Sequence, residues 1–187
     1  MKTKFFRRWS NSAITAIGIT AILGGCAEKH PLDDLVDATN DYKIMMWRAD
    51  VAGDFNNEEW HDFDDALQEI KFDVMIEKEA SGSEGVRDAA YRRIDGKPVR
   101  EVLTYGYGLK MKRLLADREK IGGFLATNKK FRTKEGDDES ARYLENLREE
   151  QSRRVQTLDQ QIEGIRAVVQ RRGLSLSGVP TQTTTEK

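Results

Sequence analysis

Two long stretches of the chain carry apolar residues at a helical spacing. In residues 98–127, and again beyond residue 138, an apolar residue recurs every three or four positions, which is the period of one helix face. The first stripe consists of Val99, Leu103, Tyr107, Met111, Leu114, Ile121 and Leu125, and the second of Tyr143, Leu144, Leu147, Val155, Leu158, Ile162, Ile165 and Val169. A polar segment of about eleven residues separates them, which allows the helices to fold back on each other. The pattern predicts a long antiparallel helical hairpin.

Shorter helices are predicted before the hairpin. The clearest one has Asn56 as its N-cap and Glu59 three residues later, and its apolar residues from Trp60 to Val74 are spaced by three and four. A first helix is expected from Leu32 to about Val51, because apolar residues recur there as well. We expect residues 81–85 to form a flexible break, followed by a short helix that ends at Asp95 and Gly96.

The first 25 residues have a different pattern. Residues 1–12 contain four basic residues and no acidic one, and residues 13–23 are an uncharged, largely apolar run. A membrane-spanning helix needs about 20 apolar residues, and this run is shorter. The layout is that of an export signal.

The apolar run ends in Leu23, Gly24, Gly25 and Cys26, the only cysteine of the chain. This tetrapeptide resembles the lipobox of bacterial lipoproteins, and the resemblance covers the leader alone. It implies that Cys26 is acylated on its thiol and becomes the N-terminus, anchored to the membrane by its acyl chains. Ala27, which follows where an Asp would retain the protein in the inner membrane, implies the outer membrane, with the protein facing the periplasm.

Together these patterns predict an all-α protein with four segments. Residues 1–25 are expected to be the signal peptide and residues 26–31 the lipidated N-terminus and linker. Residues 32–172 form the helical domain, a small helical platform plus the long antiparallel hairpin. Residues 173–187 are expected to be a disordered tail, because they have neither periodicity nor enough apolar residues to order themselves.

Charge and composition narrow the function classes. The chain has 31 basic and 32 acidic residues, and without the four basic residues of its leader the net charge would be −5. A mildly acidic domain gives no reason to expect nucleic-acid binding. One cysteine excludes an intramolecular disulfide framework and a cysteine-rich zinc site.

Candidate catalytic and metal-binding motifs are weak. His61 and Asp65 share a helix face, but two ligands do not make a metal site. Residues 54–65 partly resemble a calcium loop, yet Glu59 stands where the sharp turn requires glycine. His30 is in the linker and the thiol of Cys26 is assigned to the lipid, so a catalytic triad is not expected. We expect no cofactor and no metal.

Three aromatic residues are candidates for a partner surface. Tyr105 and Tyr107 alternate with two glycines, which favour either a close helix approach or a bend. Phe131 lies among four basic residues in the loop at the hairpin tip. Exposed aromatic side chains at such positions are typical anchors of protein interfaces.

The sequence therefore favours a lipid-anchored envelope protein that acts noncatalytically, as a scaffold for an envelope protein partner. The near-heptad spacing of the last helix also permits a homo-oligomer. Two alternatives stay open. An envelope enzyme acting on cell-wall material would need a close, buried pair of carboxyl groups in a cleft. A chaperone-like holder of exported proteins would expose a continuous apolar strip along the hairpin.

Overall fold

The computed structural model describes residues 30–176, and this part of the chain is all-α. Its five α-helices are α1 (Asp41–Asp50), α2 (Asn57–Ile76), α3 (Gly82–Ile94), α4 (Val99–Asn128) and α5 (Asp138–Arg171). A one-turn 3₁₀ helix, Pro31–Asp33, precedes them. No helix of the described part combines the length and the apolar character needed to cross a membrane.

The predicted hairpin is present and consists of α4 and α5. With 30 and 34 residues, the two helices are about 45 and 51 Å long at 1.5 Å per residue. The side chain of Asp137 caps α5 by accepting a hydrogen bond from the Ser140 backbone N–H at 3.1 Å. Gly173, with φ +60°, ends α5 in the left-handed conformation that glycine adopts without strain.

The platform packs on one end of this hairpin, mainly through α2. The capping box of Asn56 and Glu59 starts α2 where the sequence predicts it. The helices α2 and α4 approach closely at Gly106, where an added Cβ would lie 2.5 Å from the Ala66 carbonyl oxygen. Gly106 therefore permits a close helix crossing, and α4 continues through it without a break.

The start of the first helix differs from the prediction. The expected helix from Leu32 begins only at Asp41, because residues 34–38 run extended beside the turn between α3 and α4. The Val36 N–H donates to the Lys97 carbonyl at 2.9 Å, and the Gly96 N–H donates to the Val36 carbonyl at 2.8 Å. Leu32 and Val36 are nevertheless buried, so their apolar character reflects tertiary packing rather than a helix face.

The expected flexible break before α3 is also wrong. Residues 82–85 form the first turn of α3, and only Gly82 needs its positive φ of +74°. Of the predicted tail, residues 177–187 lie outside the described part. In the described portion, Leu174 is buried against the core.

Candidate functional site

A buried ion network joins the end of α5 to α2. The Arg172 guanidinium, with a side chain only 10% exposed, donates to Asp62 Oδ2 at 2.8 Å and to Glu59 Oε1 at 3.0 Å. Both carboxylates belong to the first two turns of α2 and are themselves largely buried. The network fixes the C-terminal end of the hairpin on the platform.

Tyr107 completes this network from α4. Its hydroxyl donates to Asp62 Oδ1 at 3.0 Å, and its ring is buried. Burial raises the pKa of the Tyr107 phenol, and the Asp62 carboxylate raises it further, so the phenol remains a hydrogen-bond donor. The prediction that Tyr107 is a partner-surface residue is therefore wrong.

A charged cleft continues along α2 and α4 from this network. Asp65 accepts from Lys110 Nζ at 3.1 Å, and Glu69 accepts from Arg113 at 2.7 Å. The cleft has a volume of 580 Å³ and reaches the side of α5. An acid–base pair needs a carboxyl that is free to exchange a proton, whereas each of these carboxylates is bound by a cation. The geometry is that of ion pairs that connect helices.

A second charged cluster surrounds Arg93 on α3. Its guanidinium donates to Asp73, Glu77 and Glu79, each at 2.6 Å, and to the Tyr105 hydroxyl at 2.8 Å. The hydrogen bonds from Arg93 lower the pKa of Glu79, and burial raises the pKa of Tyr105. This cluster joins α3 to the end of α2 and holds the phenol of Tyr105 in place.

The ring of Tyr105 lines an open groove of 930 Å³ along α4. One wall is the α4 face that contains Gly108, and the other is the segment Gly173–Leu176. The apolar residues that line the groove are Tyr105, Leu109, Leu115, Ala116, Leu174 and Leu176. Tyr105, half-buried, is thus a surface residue of this groove.

The hairpin tip exposes Phe131, as predicted. Its side chain is 53% exposed, and four basic residues surround it in the loop. Arg148 of α5 holds this loop by donating to the carbonyls of Asn128 at 2.8 Å and Phe131 at 2.9 Å. The large exposed apolar side chains of the described hairpin are Phe124, Phe131 and Tyr143.

The candidate metal ligands do not assemble. His61 is exposed, and Asp62 beside it points into the network with Arg172. In the part of the chain that the structure covers, no group of three His, Cys, Asp or Glu side chains could hold a metal ion. Cys26, the predicted lipidation residue, lies outside the described residues.

The sequence reasoning missed the network around Arg172. Asp62 lies in a run of acidic residues near the start of α2, and its local sequence does not indicate that its side chain is buried. The available signal was the pair Arg171 and Arg172 directly before the helix-ending Gly173, where basic side chains favour the helix C-terminus.

Comparison with known proteins adds no assignment to this geometry. No family model, no curated protein and no solved structure matches the chain.

Proposed function

We propose that this chain is a lipid-anchored bacterial envelope protein that acts noncatalytically as a scaffold for protein assembly. The observation that carries the proposal is the sequence of the leader, in which a basic segment and a short apolar run end at the single cysteine, Cys26. The resemblance to lipoproteins is the basis for placing the acyl chains on this thiol.

The position at which the chain enters the folded domain supports a domain that is held close to the lipidated Cys26. Four residues after Cys26, the described chain begins at His30, and Leu32 is already buried in the platform. Arg100 of α4 pairs with Asp33 at 2.9 Å and ties this entry segment to the base of the hairpin. Four extended residues span about 14 Å at most, so the platform would stay beside the membrane.

The charged residues support a noncatalytic role. The buried carboxylates Asp62 and Glu59 share the Arg172 guanidinium, and Asp65 and Glu69 pair with cations of α4. These groups connect helices to one another. What the fold leaves for contacts with other proteins is a 930 Å³ groove and a hairpin more than 40 Å long.

Lipid attachment can be tested separately from sorting. The full chain is expressed in a Gram-negative host with an alkyne-labelled palmitate, and the envelope is fractionated. The wild-type chain is expected in the outer-membrane fraction with label, and Cys26→Ser is expected to lose both label and membrane association. Ala27→Asp is the matched control, which keeps the label and moves to the inner membrane. A wild-type chain without label would overturn the proposal that Cys26 carries the lipid anchor.

The scaffold role is tested by crosslinking in the same cells. The wild-type chain is expected to give a defined crosslinked product with an envelope protein, and Cys26→Ser is expected to lose it through mislocalisation. A wild-type chain that is lipidated and membrane-bound but yields no specific product would contradict the scaffold role while leaving the anchor intact.

A further inference from the structure

The open face of α4 continues beyond the groove as one stripe along the helix. Positions 105, 109, 112, 116, 119, 123 and 126 are spaced by four and three residues, so they share a face. The stripe is about 32 Å long at 1.5 Å per residue. Each of these positions is exposed or half-buried, whereas the opposite face of α4 is covered by α2 at Gly106.

Small residues occupy the outer half of this stripe. Ala116, Gly123 and Ala126 lie on it, and Gly122 lies at its edge. A Cβ added at Gly122 or Gly123 would meet nothing within 4 Å, in contrast to Gly106, whose missing Cβ makes room for Ala66. Glycine in a helix interior costs stability, and within one copy of the chain no neighbour compensates this cost at Gly122 and Gly123.

Two charged residues of the stripe have no ion-pair partner in the described part of the chain, whereas several charges on the other faces of α4 do. Arg113 pairs with Glu69 and Arg118 pairs with Asp159. In the described part of the chain, Lys112 and Glu119 have no ion-pair partner, although both lie in the groove wall. They are seven residues apart on one helix face and have opposite signs.

We propose that a second copy of this chain docks in the groove, with its α4 antiparallel to the first and the two-fold axis between Leu115 and Ala116. In this register Lys112 of each copy faces Glu119 of the other. Both unpaired charges of the stripe thereby obtain a partner twice over, because a two-fold interface repeats every contact.

The same register also matches side-chain size. Tyr105 faces Ala126, so a large residue meets a small one at each end of the interface. Gly108 faces Gly123, which lets the two helix backbones approach closely. The outer half of one α4 therefore fills the groove along the inner half of the other, between α4 and the wall formed by Leu174 and Leu176.

The charges at the ends of the stripe agree with this pairing. Glu101, in the groove wall, comes to face Lys130, which follows the end of α4 by two residues. Neither residue has an ion-pair partner among those that the structure describes. The dimer requires no anchor and leaves α5 free, so it stands or falls independently of the lipidation of Cys26.

Charge reversal tests this register directly. The full chain carrying Cys26→Ser is examined by sedimentation equilibrium, and we expect a monomer–dimer equilibrium. Lys112→Glu and Glu119→Lys each place like charges opposite one another and are expected to weaken the dimer about tenfold or more. The double variant restores opposite charges and is expected to return close to the parent affinity. Circular dichroism confirms that each variant is folded, since both side chains are exposed.

Crosslinking supplies an independent readout in the same background. Lys112→Cys and Glu119→Cys chains are mixed under oxidising conditions, and a disulfide is expected between the two different variants. Either variant alone brings its own cysteines about 10 Å apart, beyond disulfide range, and is expected to stay uncrosslinked. Tyr143→Cys, at the far end of the hairpin, controls for random collisions. A monomeric chain, or a double variant as weak as the single ones, would overturn the proposal.

Discussion

The inner half of the hairpin, next to the platform, and the outer half, towards the tip, differ in how far their apolar side chains are buried, although these residues have a similar spacing in both halves. In the inner half, Met111 and Leu114 of α4 and Ile162 and Ile165 of α5 are buried. In the outer half, Ile121, Leu125, Leu144 and Leu147 remain half-exposed. The difference is α2, which covers the inner half and reaches no further. Two helices alone shield a stripe incompletely, and a third layer is needed to bury it.

The inner half of the hairpin has its third helix within the chain, whereas the apolar residues of the outer half have no third layer in the described part of the chain. Stability is expected to differ in the same direction, with the inner half opening only in global unfolding and the outer half opening more easily.

The largest effect is expected at the network that fixes α5 to the platform. Arg172→Met leaves the buried Glu59 without its cation and Asp62 with only the more distant Arg171, at 3.6 Å, which is expected to lower the free energy of unfolding by about 4 kcal/mol. Urea denaturation of the Cys26→Ser chain, followed by circular dichroism, measures it. Arg171→Met is the control, with an expected loss below about 1 kcal/mol because Arg171 is half-exposed. Equal losses of stability in the two variants would mean that Arg172 is not the residue that fixes α5 on the platform.

The second prediction compares the two halves of α5 directly. Ile162→Ala, in the inner half, removes a side chain that is 4% exposed and is expected to cost about 3 kcal/mol. Leu147→Ala, in the outer half, is expected to cost about 1 kcal/mol, because part of that side chain is already in water. The same denaturation assay measures both. A larger loss of stability for Leu147→Ala than for Ile162→Ala would mean that another chain buries Leu147 in the outer half.

A third prediction concerns the crossing of α2 and α4. Gly106→Ala would place a Cβ 2.5 Å from the Ala66 carbonyl oxygen, and the backbone shift is expected to cost about 2 kcal/mol. Gly164→Ala is the matched control within α5, where an added Cβ meets nothing within 4 Å. It is expected to stabilise the helix by up to about 1 kcal/mol. A lower melting temperature for Gly106→Ala and a higher one for Gly164→Ala would confirm that α2 packs this closely on the inner half of the hairpin.

Periodic patterns predicted the long elements and failed where contacts distant in sequence decide the structure. The stripes of α4 and α5 and the capping box of α2 are local features, so the sequence alone predicts these three helices. Residues 34–38 have apolar spacing compatible with a helix, but hydrogen bonds to Gly96 and Lys97 hold them extended. Such pairing leaves no local signal.

The candidate site was less predictable for the same reason. Arg172 and Asp62 are 110 residues apart in sequence, and nothing near either one indicates the other. The sequence places Tyr107 both in the apolar stripe of α4 and among the candidates for a partner surface. Because Gly106 allows α2 to pack closely on α4, the neighbouring Tyr107 is buried and its hydroxyl donates to Asp62. Phe131, in a polar loop far from any third helix, could be placed at the surface from sequence alone.

The smallest expected effect concerns the Arg93 cluster, the exposed counterpart of the Arg172 network. Hydrogen bonds from Arg93 lower the pKa of Glu79 in the folded chain below its ordinary value of 4.5. The folded state therefore binds the Glu79 proton less readily than the unfolded state does. Glu79 thus stabilises the fold above this pH and loses that contribution as the pH falls.

Because Glu79 is open to solvent, its effect on stability is small and is screened by salt. Glu79→Gln is expected to flatten the decline of the melting temperature between about pH 5 and pH 3. Glu84→Gln, on a more exposed acid of α3, is expected to leave it unchanged. An unchanged slope in Glu79→Gln would contradict this contribution of Glu79.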